Sequence, residues 1–297
     1  MFCYSLKGAS ILAGNNNVKE FEKLKKKSKK IGIDDRVLKI EEAIKLFKPS
    51  KEVKIRTPIF INQEFLYNIN LNDRFFDSLK KDYNGFEKWY AKKSCEGEMA
   101  YVTRYENGDI GSFLMLKVEN ENEDYSKFKN PFDRAIRLKV STFKVANTGN
   151  KIGESYIKII IKEAIKNNVD EIYVTIFEKQ EPLIHLFSEY GFIKKTSKMT
   201  QKSDLSFEEE LVFVKSMHDN TYPNFEWENK QVFIVPIRQE YHEMLFPESE
   251  SVTQLTFGDM SGTNTYSNTI KKAYISNSNT NRIQPGDILV FYASGFK

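Results

Sequence analysis

The stretch Lys139 to Glu154 constrains this chain more than any other. It reads as a strand, then a glycine-bearing turn, then a helix that opens directly out of the turn. A helix start leaves several backbone N–H groups without partners, and the helix dipole adds partial positive charge there. Gly149 and Gly153 allow close approach to that backbone, so the turn is a candidate cradle for a diphosphate. The helix runs through Ala164-Ile165. A strand Glu171 to Phe177 follows, then a short helix from Glu181 to Tyr190 that closes on Gly191-Phe192.

The 297 residues suffice for two domains of ordinary size, or for three pieces. Apolar residues make up 40% and charged ones 29%, the balance of a folded globular chain rather than a disordered one. No run is long and apolar enough to span a membrane, and Lys7 interrupts the short apolar start, so neither a membrane segment nor a secretory leader is expected. Two cysteines, Cys3 and Cys95, are too few for a disulfide framework or a zinc site, which points to a reducing cytoplasm. His185, His218 and His242 are far apart, and no metal is expected. A net charge of +4 permits an anionic partner without demanding one.

Ahead of the glycine turn, Val53 to Ile61 reads as a strand and Asp73 to Lys93 as two helical stretches, with Phe86, Trp89 and Tyr90 spaced to bury one face. Met99 to Arg104 and Asp109 to Val118 read as antiparallel strands joined at Glu106-Asn107-Gly108, a strong hairpin signal. Asn120 to Pro131 is loop-like, Ala135 to Val145 is the next strand, and Leu211 to Lys215 is a last one. This order over roughly 150 residues resembles the GNAT acyltransferase superfamily, which transfers an acetyl group from acetyl-CoA to an amine. The resemblance implies a central mixed sheet flanked by helices, in a unit spanning residues 51–220.

The superfamily's turn signature is Arg/Gln-x-x-Gly-x-Gly/Ala. Gly153 matches its last glycine, Thr148 replaces the Arg or Gln, and Lys151 replaces the first glycine, while Gly149 fits a common variant. The resemblance implies cofactor contacts from Phe143, Lys144, Val145, Gly149, Asn150, Lys151, Ile152, Gly153, Glu154 and Gln180. The Lys151 side chain either adds a point charge beside the diphosphate or turns to solvent. Many relatives protonate the departing thiolate with a Tyr four residues before the closing Gly-Phe. Phe187 stands there and cannot donate; Tyr190 is offset on the helix, and His185 reads as a surface or packing residue rather than a proton donor. Glu119, at the end of the strand Ser112 to Val118, is the candidate base for the attacking amine; the alternative is a hydrophilic residue at a strand end. The acetyl carbonyl would be polarised by backbone N–H groups where Phe143 to Val145 splays from its neighbour.

Residues 1–50 form a small basic αβ piece. Val18 to Lys30 is a lysine-rich helix, Val37 to Ile40 a short strand and Glu41 to Phe47 a second helix. This fragment resembles the end of a PIN nuclease domain, but Ala13-Gly14-Asn15-Asn16 occupies the position of the usual acidic residue, so no nuclease activity is expected. Residues 230–297 resemble the start of an ASCH or other PUA-like module through Val232 to Ile237, Leu245-Phe246-Pro247 and Pro285-Gly286-Asp287-Ile288-Leu289, which implies a partial β-barrel-like piece. Lys271, Lys272 and Arg282 either line a basic groove or are scattered surface charges. The whole is expected to be α+β. Three functions follow from the resemblances: an N-acetyltransferase with acetyl-CoA and an amine as partners, a non-catalytic RNA-binding protein built on the same scaffold, or a toxin-like enzyme acting on aminoacyl-tRNA.

Overall fold

A computed structural model describes residues 12–14, 37–39, 61–146, 151–225, 230–246 and 286–294, with single positions at 22, 23, 25, 26, 29, 270, 272, 274 and 282–284. The chain divides into two compact units, Met1–Thr57 with Ala273–Pro285, and Pro58–Lys272 with Gly286–Lys297. In the first unit β1 (Leu12–Gly14) pairs in parallel with β2 (Val37–Lys39), where the sequence predicts a short strand. Glu22, Lys23, Lys25, Lys26 and Lys29 are helical and exposed, so these lysines form a solvated face.

The second unit is built on a seven-stranded mixed sheet. Its elements run β3 (Asn62–Phe65), α1 (Asp77–Asp82), α2 (Phe86–Cys95), β4 (Met99–Arg104), β5 (Ile110–Glu119), β6 (Arg137–Val145), α3 (Ile152–Lys166), β7 (Glu171–Phe177), α4 (Glu181–Glu189), β8 (Ile193–Gln201) and β9 (Phe207–Ser216). The spatial order is β3-β4-β5-β6-β7-β9-β8; β6 and β7 are parallel and every other neighbouring pair is antiparallel. The parallel pair needs a crossover, which α3 supplies. This is the order of elements that the GNAT resemblance implies. Most of the expected strand Val53 to Ile61 lies outside the described residues, and β8 was not read from the sequence. Its Lys194, Lys195 and Lys198 break the apolar alternation, as suits a strand at the sheet edge.

Two helical layers cover the sheet. Ile152, Tyr156, Ile157, Ile160 and Ala164 recur along one stripe of α3 and are buried against Leu138, Val140, Ile172, Val174 and Ile176. Each large apolar side chain so buried contributes about 2 kcal/mol. On the opposite face Phe75, Phe76, Leu79, Phe86 and Tyr90 cover Ala100, Val102, Phe113 and Met115. Gly191 has φ +82°, and an added Cβ would lie 2.6 Å from the Tyr222 carbonyl oxygen, so the turn after α4 requires glycine.

The expected partial barrel at the C-terminal end is not formed. Among the described residues β10 (Val232–Arg238) and β11 (Ile288–Ser294) make a two-stranded parallel sheet, from Val232 opposite Ile288 to Arg238 opposite Ser294, with α5 (Gln239–Leu245) directly after β10. Two strands running the same way cannot curl into a closed ring, since closure needs a continuous ladder around the barrel.

Candidate functional site

β6 and β7 pair only over the four residues Arg137 to Val140, opposite Glu171 to Val174. Beyond them the strands separate. The separation coincides with a bulge: Met115 faces Thr142 and Leu116 faces Val140, which leaves Ser141 as the extra residue in β6. Ala146 donates its N–H to the Gly111 carbonyl at 2.9 Å, on the β5 side. Alternation along an antiparallel ladder therefore turns the N–H groups of Phe143 and Val145 the other way, into the gap.

The gap ends at the start of α3. Asn147, Thr148, Gly149 and Asn150 lie outside the described residues, so the expected contacts of Gly149 and Asn150 do as well. Lys151 caps the helix with φ +53°, in the left-handed region. Glycine adopts that conformation at less cost than lysine does. The Lys151 ammonium is 3.1 Å from Glu154 Oε1, an ion pair across the first turn. The N–H groups of Glu154 and Ser155 bond to the Lys151 carbonyl, while those of Ile152 and Gly153 find no acceptor among the described residues. These two donors suit an anion.

Other features of the turn favour packing within the protein. An added Cβ on Gly153 would lie 2.9 Å from Leu186 Cδ2 on α4, so this glycine admits a neighbouring helix. Ile152 is buried in the core. Glu154 accepts from the Tyr190 hydroxyl at 2.7 Å and from the Ile270 N–H at 3.3 Å. Burial opposes its charge, but the hydrogen bonds from Tyr190 and Lys151 outweigh that and hold the carboxyl below its usual range.

Phe143 lies on the α3 face, edge-on to Tyr156 (5.4 Å between ring centroids) and to Phe187 (5.8 Å). Phe187 is fully buried and leans on Phe192, and no phenol stands in its place. Tyr156 carries a buried polar chain that the sequence reading missed. Its hydroxyl is 2.8 Å from Ser112 Oγ, which is 2.5 Å from Thr103 Oγ1. Small hydroxyls at alternate positions of apolar strands were the available signal. Lys144 turns to the other face, where its ammonium donates to the Phe75 carbonyl and to Ser78 Oγ; burial pulls its pKa down. Gln180 caps α4 through its carbonyl, which accepts from Leu183 and Ile184. His185 is exposed on α4.

Glu119 is not brought to this site. It pairs with Arg137, the first residue of β6, whereas the gap begins beyond Val140 and its donors lie at Phe143 and Val145, six and eight positions away at roughly 3.3 Å per residue. Its carboxylate is buried and accepts from Tyr173 (2.7 Å) and Tyr125 (3.0 Å), with Lys117 at 3.2 Å and Lys139 at 3.5 Å. Burial works to raise its pKa, but Lys139 and the Tyr173 hydroxyl outweigh burial and hold it below the usual range. These contacts describe a buried structural carboxylate. A cavity of about 380 Å³ also lies at that end of the sheet, lined by Phe132, Arg134, Arg137, Asp170, Lys195 and His218. Within it Arg137 pairs with Glu171 at 2.8 Å, and His218 Nε2 lies 3.6 Å from Asp170 Oδ1.

Among the described residues no group of three His, Cys, Asp or Glu could hold a metal, and no helix is long and apolar enough to cross a membrane. No family model matches the chain, and no curated protein does. Solved structures match its chain path. NAA60 from Arabidopsis thaliana, in complex with acetyl-CoA, is 13% identical over 55% of this chain and 100% of its own, with a TM-score of 0.43. An N-acetyltransferase from Staphylococcus aureus Mu50 is 14% identical over 54% of this chain and 98% of its own, at 0.40. The IAA acetyltransferase from Bacillus cereus is 13% identical over 54% of this chain and 99% of its own, at 0.37. Likeness at this level leaves the function to be argued from the site.

Proposed function

We propose that this chain is an acetyl-CoA-dependent N-acetyltransferase that moves the acetyl group to an amine by direct attack. One observation carries the reading: the N–H groups of Phe143 and Val145 face the gap between β6 and β7, beside the start of α3. Fixed donors in such a gap suit a thioester carbonyl, on whose oxygen charge develops as the amine attacks. The N–H groups of Ile152 and Gly153, which find no acceptor among the described residues, suit the diphosphate, and Lys151 would exchange Glu154 for it. Phe187 supplies no proton, so the thiolate departs as such, which its low basicity permits near neutral pH. Titration calorimetry with CoA tests the reading: micromolar binding is expected, and no heat at millimolar CoA would sink it.

A second reading draws on Phe187 and on Leu186 filling the space beside Gly153. In it the unit is a scaffold, and the chain binds RNA through basic surface without transferring an acyl group. RNA affinity that falls steeply with salt, with no CoA binding, would favour this alternative. The acceptor of the first reading, whether a free amine, a protein or a nucleic-acid-linked amine such as aminoacyl-tRNA, is open to the same assays.

A further inference from the structure

At the end of the sheet away from the gap, the starts of β6 and β7 lie side by side, with Arg137 directly opposite Glu171. The cavity of about 380 Å³ takes in both, together with the loop that leads into β6, the bulge of β8 and the end of β9. That is room for a small metabolite. One wall is rigidly held. The Arg137 side chain is only 3% exposed; its Nε donates to Glu171 at 2.8 Å and its Nη1 to the Asp133 carbonyl at 2.8 Å. Its guanidinium lies 4.6 Å from the centroid of the Phe132 ring, which in turn packs edge-on to Phe128 and Tyr173.

Around this wall stand charges that the fold leaves unspent. Asp133 and Arg134 are adjacent, exposed and opposite in sign, yet neither side chain has a hydrogen-bond or ion-pair partner among the described residues, not even the other. Lys195 is the extra residue of the β8 bulge, and its ammonium stands 3.8 Å from Glu171 Oε1, a loose pair. Asp170 spends one carboxylate oxygen on the Ile136 N–H at 2.9 Å and keeps the other 3.6 Å from His218, beyond hydrogen-bond distance. The lining thus offers Arg134 and Lys195 to a carboxylate, Asp133 and Asp170 to an ammonium, and the Phe132 ring to an apolar group. His218 aside, Arg134, Arg137 and Lys195 balance Asp133, Asp170 and Glu171. A balanced lining resists a net anion or a net cation and favours a ligand that carries both signs.

We propose that this cavity binds a free α-amino acid with a large apolar side chain. Arg134 and Lys195 take its carboxylate, Asp133 and Asp170 take its ammonium, and its side chain rests on Phe132. The site stands apart from acyl transfer, because most of the length of β6 separates Arg137 from the donors at Phe143 and Val145. The test is titration calorimetry of the full chain with four probes: L-phenylalanine, hydrocinnamate (which lacks the ammonium), phenethylamine (which lacks the carboxylate) and inorganic phosphate. L-Phenylalanine is expected to bind, and each of the other three about tenfold or more weakly, because each forfeits a charge-assisted contact. Asp133→Asn and Arg134→Gln should each weaken L-phenylalanine binding about tenfold and leave the melting temperature unchanged, since both side chains are exposed and unpartnered among the described residues. No heat with L-phenylalanine at millimolar concentration would overturn the proposal, as would binding that neither substitution weakens. Hydrocinnamate or phosphate bound as tightly as L-phenylalanine would also overturn it and mark a plain anion site; phenethylamine bound as tightly would overturn it as a cation site.

Discussion

At Gly153 and Gly191 the same residue type meets two different demands. Gly191 combines φ +82° with a backbone oxygen 2.6 Å from where a Cβ would sit. Gly191→Ala should therefore cost about 3 kcal/mol, the sum of the left-handed penalty and a clash with rigid backbone. Gly153→Ala meets only the mobile end of Leu186 and gains about 1 kcal/mol of helix propensity, so its net change should stay within about 1 kcal/mol. Urea midpoints of the two variants check the contrast. Glu119→Ala strands Lys139 and two tyrosine hydroxyls around a vacated carboxylate site, and should cost about 3–5 kcal/mol. CoA affinity of the folded fraction should not move; a tenfold loss would return Glu119 to the site. Both glycines were legible in the sequence as turn residues. What each one faces was not, because Leu186 and Tyr222 are neighbours only after folding.

Among the elements, β6 contributes most to the candidate site. It is bonded to β5 along its length, apart from the bulge, but to β7 over less than half of it. Amide exchange should therefore alternate at its end, slow at Lys144 and Ala146 and faster by roughly an order of magnitude or more at Phe143 and Val145. CoA should slow the latter two. Equal protection in the free protein would contradict the gap. The sequence predicts the strand, and the resemblance predicts the splay. Neither predicts the bulge at Ser141, since a bulge is a mismatch between two strands and no single strand encodes it. β8 escaped notice for a related reason: an edge strand needs little apolar alternation, and its lysines reach solvent or pair with Glu171 and Glu210.

For the whole molecule, two buried carboxylates link stability to pH. Burial opposes the charge of Glu210, but Lys198 and the Thr200 hydroxyl outweigh it, so its folded pKa is lowered, as is that of Glu119. A depressed carboxyl pKa contributes stability that is present above the unfolded value of about 4.3 and lost as pH falls through the folded value. Unfolding free energy should thus stay level from pH 7 to about 5 and drop below about 4.5. The drop should be smaller in Glu210→Gln, and an equal slope in that variant would count against the assignment. The sequence by itself determined most of the order of strands and helices in the central unit, β8 excepted, and the helix α3 that follows β6, because local periodicity and turn chemistry are written residue by residue. Tertiary structure alone decided that Glu119 lies far from the gap and that the C-terminal strands form an open parallel pair. Those facts depend on register, strand direction and facing side chains, which arise only when segments distant in sequence are brought together.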